Sequence, residues 1–326
     1  MKKYDVVALG ELLMDMTNNG KSGQGNALYE ANPGGAPCNV LAMLKRFGHE
    51  VGFIGKVGND IFGQELRSVL TELGIGTEGL VMDDEIRTTL AFVKTFEDGD
   101  RDFSFYRNPG ADMMLDKSEI RAEMIENSRI FHFGTLSMTH PKVREATRYA
   151  IDCAVSAKAL ISFDPNIREP LWDSMDEARE QVLTGLSYCD ILKISDNEIQ
   201  WLTGTEDFTK GVEWIFERFD IPLVNLSLGK EGSMSFYRRD ISSKQYICVK
   251  AEPYLQENTI ETTGAGDTFN GIVLHFICEK GLKDLKENDL SEMLSWANAA
   301  ASVITTRRGA LRVMPTVDEI RECMGR

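Results

Sequence analysis

Short runs of β-branched and aromatic residues recur along this 326-residue chain, separated by longer stretches whose apolar positions follow a helical period. Val6–Leu9, Gly52–Val57, Ile130–Phe133, Ala159–Phe163, Ile191–Ile194 and Leu223–Leu228 read as strands, apolar enough to be mostly buried. Between them, helices are predicted over 36–47, 60–73, 141–157, 176–187, 209–219, 266–279 and 289–306. Strand and helix alternation of this kind implies right-handed crossovers onto a mainly parallel sheet. The expected fold class is α/β, a three-layer α/β/α sandwich.

Two segments break the alternation. Residues 17–32 are polar and glycine-rich, and 88–106 read as two strands around an Asp98-Gly99 turn. They suit a small β lid, or else a surface loop plus a hairpin at the sheet edge. No internal repeat, low-complexity tract or linker interrupts the chain. The expectation is one domain over 1–326, with a lid inserted from about 11–32 and 86–108.

Charge narrows the partners. With 36 Lys+Arg against 51 Asp+Glu, the net charge of −15 repels nucleic acid and anionic membranes. A phosphate-bearing ligand therefore needs locally arranged donors. Six cysteines lie scattered without a Cys-x-x-Cys pair, as expected of reduced thiols in the cytoplasm. The N-terminal run carries two lysines and apolar residues, but Asp5, Glu11 and Asp15 interrupt it, so it reads as a first strand rather than a signal peptide. No stretch approaches the roughly 20 apolar residues of a membrane span.

The most informative stretch is Glu261-Thr262-Thr263-Gly264-Ala265-Gly266-Asp267-Thr268-Phe269-Asn270-Gly271. Phe269, Ile272, Val273 and Phe276 then follow helical spacing, so the glycines sit where a loop enters a helix. Gly264 and Gly266 allow close approach, and the first free N–H groups of the helix make an anion site suited to phosphate. A carboxylate beside such a site, Asp267, either accepts a hydroxyl proton or simply stabilises the helix start through its dipole. The second stretch, Pro33-Gly34-Gly35-Ala36-Pro37-Cys38-Asn39, admits a small ligand to the backbone and offers the Asn39 amide to sugar hydroxyls; a tight strand-to-helix turn accounts for it equally well. Gly20-Lys21-Ser22 looks like the end of a P-loop but has Asp15 where the first glycine belongs and no following helix. The four histidines lack zinc-site spacing.

Taken together, Gly-Gly-x-Pro-x-Asn near the start and Thr-Thr-Gly-Ala-Gly-Asp-Thr-Phe near the end resemble the two signatures of the ribokinase-like (PfkB) carbohydrate kinases. Gly10-Glu11 with Asp15, the run from Tyr106 to Asp112, Asp164-Pro165-Asn166-x-Arg168 with Leu171-Trp172, and Ser227-Leu228-Gly229-x-x-Gly232 extend the resemblance over essentially the whole chain. It implies Asp267 as catalytic base and Gly264-Ala265-Gly266 as the anion hole, with Arg168 near the phosphates unless it pairs with Glu169 or Asp173. It further implies sugar contacts from Asp15, Gly34, Gly35, Asn39, Arg107 and Asn166. For ATP it implies Lys193, Ser195, Ser227, Gly229, Gly232 and Asn298, although Asn298 also suits a helix surface. Ser195 stands where the family has Asn in its Asn-x-x-Glu motif, whose Glu, here Glu198, acts on Mg²⁺ mostly through water. The monovalent-cation (K⁺) site of the family maps to Glu261, in place of the usual Asp, and to backbone oxygens of Thr263, Ile304, Arg307 and Gly309.

The implied activity is ATP-dependent phosphorylation of a small sugar at a primary hydroxyl, with dimerisation through the lid. The segments around Arg107 and Arg168 resemble fructokinases and favour fructose over 2-keto-3-deoxygluconate or ribose. A catalytically silent sugar or nucleotide sensor is the rival of another class, opposed by the intact Asp267. A Rossmann dehydrogenase is opposed by the missing Gly-x-Gly-x-x-Gly after the first strand.

Overall fold

The computed structural model describes residues 2–95 and 101–325, so the expected Asp98-Gly99 turn lies outside the described residues. The chain runs through β1 (Tyr4–Leu9), β2 (Leu13–Lys21), β3 (Ala27–Gly34), α1 (Ala36–Arg46), β4 (Val51–Gly58), α2 (Ile61–Glu72) and β5 (Gly76–Asp83). There follow β6 (Leu90–Thr95), β7 (Arg101–Tyr106), α3 (Ala122–Glu126), β8 (Ser128–Gly134), α4 (Pro141–Ser156), β9 (Leu160–Asp164) and α5 (Met175–Leu186). The remainder comprises β10 (Ile191–Ser195), α6 (Asp196–Thr203), α7 (Phe208–Phe216), β11 (Leu223–Ser227), β12 (Ser233–Tyr237), β13 (Ile247–Ala251), α8 (Ala265–Lys280), α9 (Glu287–Ile304) and α10 (Val317–Met324).

Nine of these strands form one sheet in the order β13-β12-β11-β10-β9-β8-β1-β4-β5, parallel from β11 to β5 and antiparallel at the β12 and β13 edge. All six predicted strands fall in it, with Ala159 just before β9 and Leu228 just after β11. β5, β12 and β13 were not expected, because glycine, serine and charge dilute their alternation.

Side chains alternate across the sheet with the period of two that a pleated strand imposes. Val6 and Ala8 of β1 join Phe53 and Ile191 in a core with residues of α1, α2, α8, α9 and α10. Val7 and Leu9 join Phe131, Phe133 and Phe163 in a core with α3, α4, α5, α6 and α7 on the opposite face. These two cores, one on each face, make the three-layer sandwich.

The segments that broke the sequence pattern do not extend an edge of this sheet. They build a second sheet in the order β3-β2-β6-β7, in which β2 and β6 pair in parallel, Met14 opposite Leu90. The lid reading therefore holds over the edge hairpin. Leu28, Tyr29 and Tyr106 of this small sheet are exposed.

Candidate active site

Gly264 caps α8 with φ 76°, a left-handed conformation that costs other residues energy, and a Cβ there would lie 2.7 Å from Cβ of Ala310. No side chain caps the helix. Ala265 N–H is taken by Thr262 O at 3.2 Å, whereas the N–H groups of Gly266 and Asp267 have no partner among the described residues. Those two donors, together with the dipole of a 16-residue helix, form an anion site. Lys193 Nζ stands beside it, 3.0 Å from where a Cβ at position 266 would be.

Asp267 is buried in the first turn of α8, and Asn39 Nδ2 donates to its Oδ2 at 2.8 Å. Burial raises the Asp267 pKa, while Asn39, Lys193 and Arg168 act against the rise. Asn39 Oδ1 is buried with no hydrogen-bond partner, an acceptor waiting for a ligand hydroxyl. Its helix, α1, follows Gly35, whose φ of 128° and close approach to the Glu11 carbonyl exclude a side chain. Glu11 accepts from Ala36 N–H at 2.8 Å, and burial lifts its carboxyl to about 7. Asp15, on β2, lies so close to Gly34 that a Cβ there would sit 2.4 Å from Oδ2. Burial raises Asp15 to about 7; Arg168 opposes the rise, and Glu261 and Asp267 add to it.

These groups meet around a cavity of about 440 Å³ lined by Asp15, Gly35, Asn39, Asn166, Arg168, Lys193, Thr263, Gly264, Gly266 and Asp267. A second cavity of about 530 Å³ is lined by Ser227, Gly229, Gly232, Ala265, Gly266 and Asn298. Thr262 and Gly266 border both. A small polar ligand in the first and an extended one in the second would meet at the anion site.

Lys193 is fixed by Asp164 at 3.1 Å. Burial opposes its charge, but Asp164, Glu198 and Asp267 outweigh burial and raise its pKa. Glu198 accepts from Ser195 N–H and Oγ at 2.8 and 2.7 Å and from Ile167 N–H at 2.8 Å. The Ser195 hydroxyl is thus turned toward Glu198 in a capping arrangement rather than toward either cavity. Burial pushes the Glu198 carboxyl up, yet Lys193 and these N–H groups hold it below its ordinary value. Arg168 is exposed, lines the smaller cavity and forms no ion pair with Glu169 or Asp173.

Two residues expected at the ligands are also held by the protein. Arg107, expected against the sugar, is buried and directs its guanidinium to Asp112 at 2.7 Å, Thr139 Oγ1 at 2.9 Å and Leu136 O at 3.0 Å, bracing the wall behind the cavity. Asn298 is buried rather than on a helix surface and donates to Ala251 O and Glu252 O at 3.2 and 3.0 Å, tying α9 to the end of β13. Glu261 Oε1 accepts from Gly309 N–H at 2.8 Å, which joins the two segments of the implied cation site. Ile304 O accepts from Arg307 N–H at 3.1 Å, and the Arg307 side chain turns away to Val313 O and Glu319.

Sequence reasoning missed Thr262, Phe105 and Leu13 in the smaller cavity, and Lys230 and the Pro253–Gln256 segment in the larger one. The last segment has neither period nor glycine motif. Only its placement against α9 makes it a wall.

Residues 3–317 match the pfkB family carbohydrate kinase. Among curated relatives, Fructokinase-1 of Zea mays is 38% identical over 320 residues, covering 97% of this chain and 96% of its own. Fructokinase-1 of Oryza sativa subsp. japonica is 38% identical over 323 residues, covering 98% and 97%. Among solved structures, fructokinase with bound ATP from Xylella fastidiosa superposes with a TM-score of 0.87 at 27% identity, covering 100% and 99%. A double-mutant fructokinase from Vibrio cholerae in a fructose, ADP and potassium ion bound form gives 0.84 at 27% identity, covering 99% of each chain. A likeness that runs from end to end, around two cavities joined at one glycine loop, means that this chain belongs to the pfkB family of carbohydrate kinases.

Proposed function

We propose that the protein transfers the γ-phosphoryl group of ATP to the primary hydroxyl of fructose that yields fructose 6-phosphate. The observation that carries this reading is the shared border of the two cavities at Thr262 and Gly266, with Asp267 on the sugar side. The choice of fructose rests on relatives named fructokinase across nearly the full length.

Asp15, Gly34, Gly35, Asn39 and Asn166 hold the sugar so that its reacting hydroxyl meets Asp267. The carboxylate takes the hydroxyl proton as the oxygen forms its bond to the γ-phosphorus, and the bond to the bridging oxygen breaks to release ADP. Gly266 and Asp267 N–H groups, with Lys193 and Arg168, stabilise the charge on the passing phosphoryl group. Arg107 shapes the cavity from behind through Leu136. Ser227, Gly229, Gly232 and Asn298 line the ATP groove.

Mg²⁺ would shield the phosphates, and Glu198 suits it through water because both carboxylate oxygens already accept from the protein. A potassium ion would lie beside Glu261 and the 304–309 segment, ordering the anion loop. The small sheet closes over the sugar as a lid of one 1–326 domain and excludes water as a competing acceptor. Exposed Leu28, Tyr29 and Tyr106 on that sheet favour a homodimer through the lid. Cys38, Cys189 and Cys278, free thiols buried in the core, favour the cytoplasm; among the described residues no helix is long and apolar enough to cross a membrane.

A coupled ADP-release assay across fructose, ribose, 2-keto-3-deoxygluconate and glucose tests the substrate. Fructose should lead by at least about tenfold in kcat/KM, roughly 1.4 kcal/mol of transition-state binding. A preference for another sugar overturns fructose alone, and binding without ADP release in any arm overturns the kinase.

A further inference from the structure

At the far end of α8 from the glycine loop, two imidazoles face each other. His49 Nε2 lies 2.8 Å from His275 Nδ1, and the Glu279 carboxylate, one turn on from His275, brings a third ligand atom within 4.8 Å of both. His49 follows α1 and is buried, His275 is half-buried, and Glu279 is exposed, so the group opens to solvent on one side. We propose that His49 Nε2, His275 Nδ1 and the Glu279 carboxylate bind a divalent transition-metal ion of the zinc class, clamping α8 to the loop between α1 and β4.

The surroundings are those of a metal site rather than of a casual histidine pair. Asp5 lies 3.3 Å from His49 Nδ1, and is itself held by Arg129 at 3.0 Å and Glu50 N–H at 3.1 Å. A carboxylate so fixed keeps the hydrogen on His49 Nδ1 and aims the Nε2 lone pair outward, the carboxylate–histidine–metal arrangement. Phe47 stacks on the His275 ring at 4.0 Å and sets its plane. With His49 Nε2 unprotonated, the 2.8 Å contact is a hydrogen bond donated by His275 Nδ1–H, and a bound metal ion would take the place of that hydrogen, the ring keeping its proton on Nε2. Two nitrogens bound tetrahedrally at about 2.0–2.1 Å stand roughly 3.3 Å apart, so binding asks the rings to part by only about half an ångström.

A competing grouping, Asp5, His49 and Cys278, uses the other face of His49. It fits less well. Arg129 and Glu50 N–H already occupy Asp5, and Cys278 is buried, whereas Glu279 is open to solvent. Two imidazoles and a carboxylate suit zinc and its neighbours better than magnesium or calcium.

The test titrates the full chain, stripped with a chelator, with Zn²⁺ by calorimetry and with Co²⁺ by visible absorption. The expected result is one ion per chain, and a Tm raised by roughly 5 °C when Zn²⁺ exceeds its Kd a hundredfold. His275→Ala and the exposed Glu279→Gln should each weaken binding at least tenfold, Asp5→Asn about tenfold, and Cys278→Ser should leave it intact. Glu279→Gln guards against misfolding in the His275 variant. The proposal is overturned if the wild type takes up no Zn²⁺ below about 0.1 mM, if both ligand variants bind as well as wild type, or if Cys278→Ser abolishes binding.

Discussion

Asp267 is a carboxylate whose burial disfavours its charge and whose neighbours Asn39, Lys193 and Arg168 restore part of it. A base in that position is more basic than a solvent-exposed aspartate, which favours taking a proton. Asp267→Asn keeps the shape and loses the proton acceptor, so kcat should fall on the order of 10²–10⁴-fold, roughly 3–5 kcal/mol, while calorimetric fructose affinity changes little. Retention of more than about a tenth of the turnover by the folded variant would mean another group is the base. Asp15 adds a pH dependence. Its pKa in the free enzyme is raised to about 7, so the sugar-accepting carboxylate is present above that value and lost below it. The kcat/KM profile should therefore show an acidic limb near pH 7 that belongs to Asp15. Arg168 opposes the rise, so Arg168→Gln should move the limb upward in pH as well as lowering the rate. A limb that stays in place in the variant would separate Arg168 from Asp15.

In α8 the two glycines of the anion loop serve different ends. Gly264 is required by the backbone, with its positive φ and the nearby Ala310. Gly264→Ala should cost roughly 1–2 kcal/mol in backbone strain alone, before the clash, and appear as a lower Tm. At Gly266 the obstacle is Lys193 Nζ, the movable end of a side chain. Gly266→Ala should leave the Tm nearly unchanged while lowering kcat, because it displaces the ammonium from the phosphoryl path. Thermal melts beside single-turnover rates for both variants check this contrast; equal losses of Tm would contradict it. The small sheet carries its own expectation. A charge at Tyr29 or Tyr106 should shift sedimentation toward monomer if these exposed rings form the proposed dimer contact.

The protein as a whole gathers acidic groups with opposite shifts. Glu11 and Asp15 are raised to about 7 by burial, and Asp83 is lowered to about 2 because bonds from Lys56 and from Ile86 and Glu85 N–H outweigh its desolvation. A raised carboxyl binds more protons folded than unfolded, so its stability contribution is present below about pH 4 and lost as pH rises through 7. A lowered one contributes above its unfolded value and is lost as pH falls toward 2. Stability should therefore peak near pH 4 and fall as pH rises to about 7, and Glu11→Gln should flatten that fall. Melting curves over pH 4–9 for both proteins measure it, and a wild-type maximum above pH 8 would refute the assignment.

Periodicity in the chain was enough to specify the alternation of strands and helices, because burying strands on both faces demands long apolar runs at Ile130–Phe133 or Leu223–Leu228. Local motifs were enough to place the glycine loop at a helix start, since a loop entering a helix creates its own N–H donors, whereas the role of Asp267 as base came only from the family resemblance. Weakly patterned β5, β12 and β13 were illegible, because their order comes from pairing with strands distant in sequence. The same holds for the direction in which a side chain is spent. Arg107 turns to Asp112 and Leu136, Ser195 turns to Glu198, and Pro253–Gln256 becomes a cavity wall only when Asn298 ties α9 to β13. His49 and His275, 226 residues apart, carry no local signal at all. Backbone conformation and burial are encoded in neighbouring residues, whereas hydrogen-bond partners and cavity walls are set by groups that only folding brings within about 3 Å of one another.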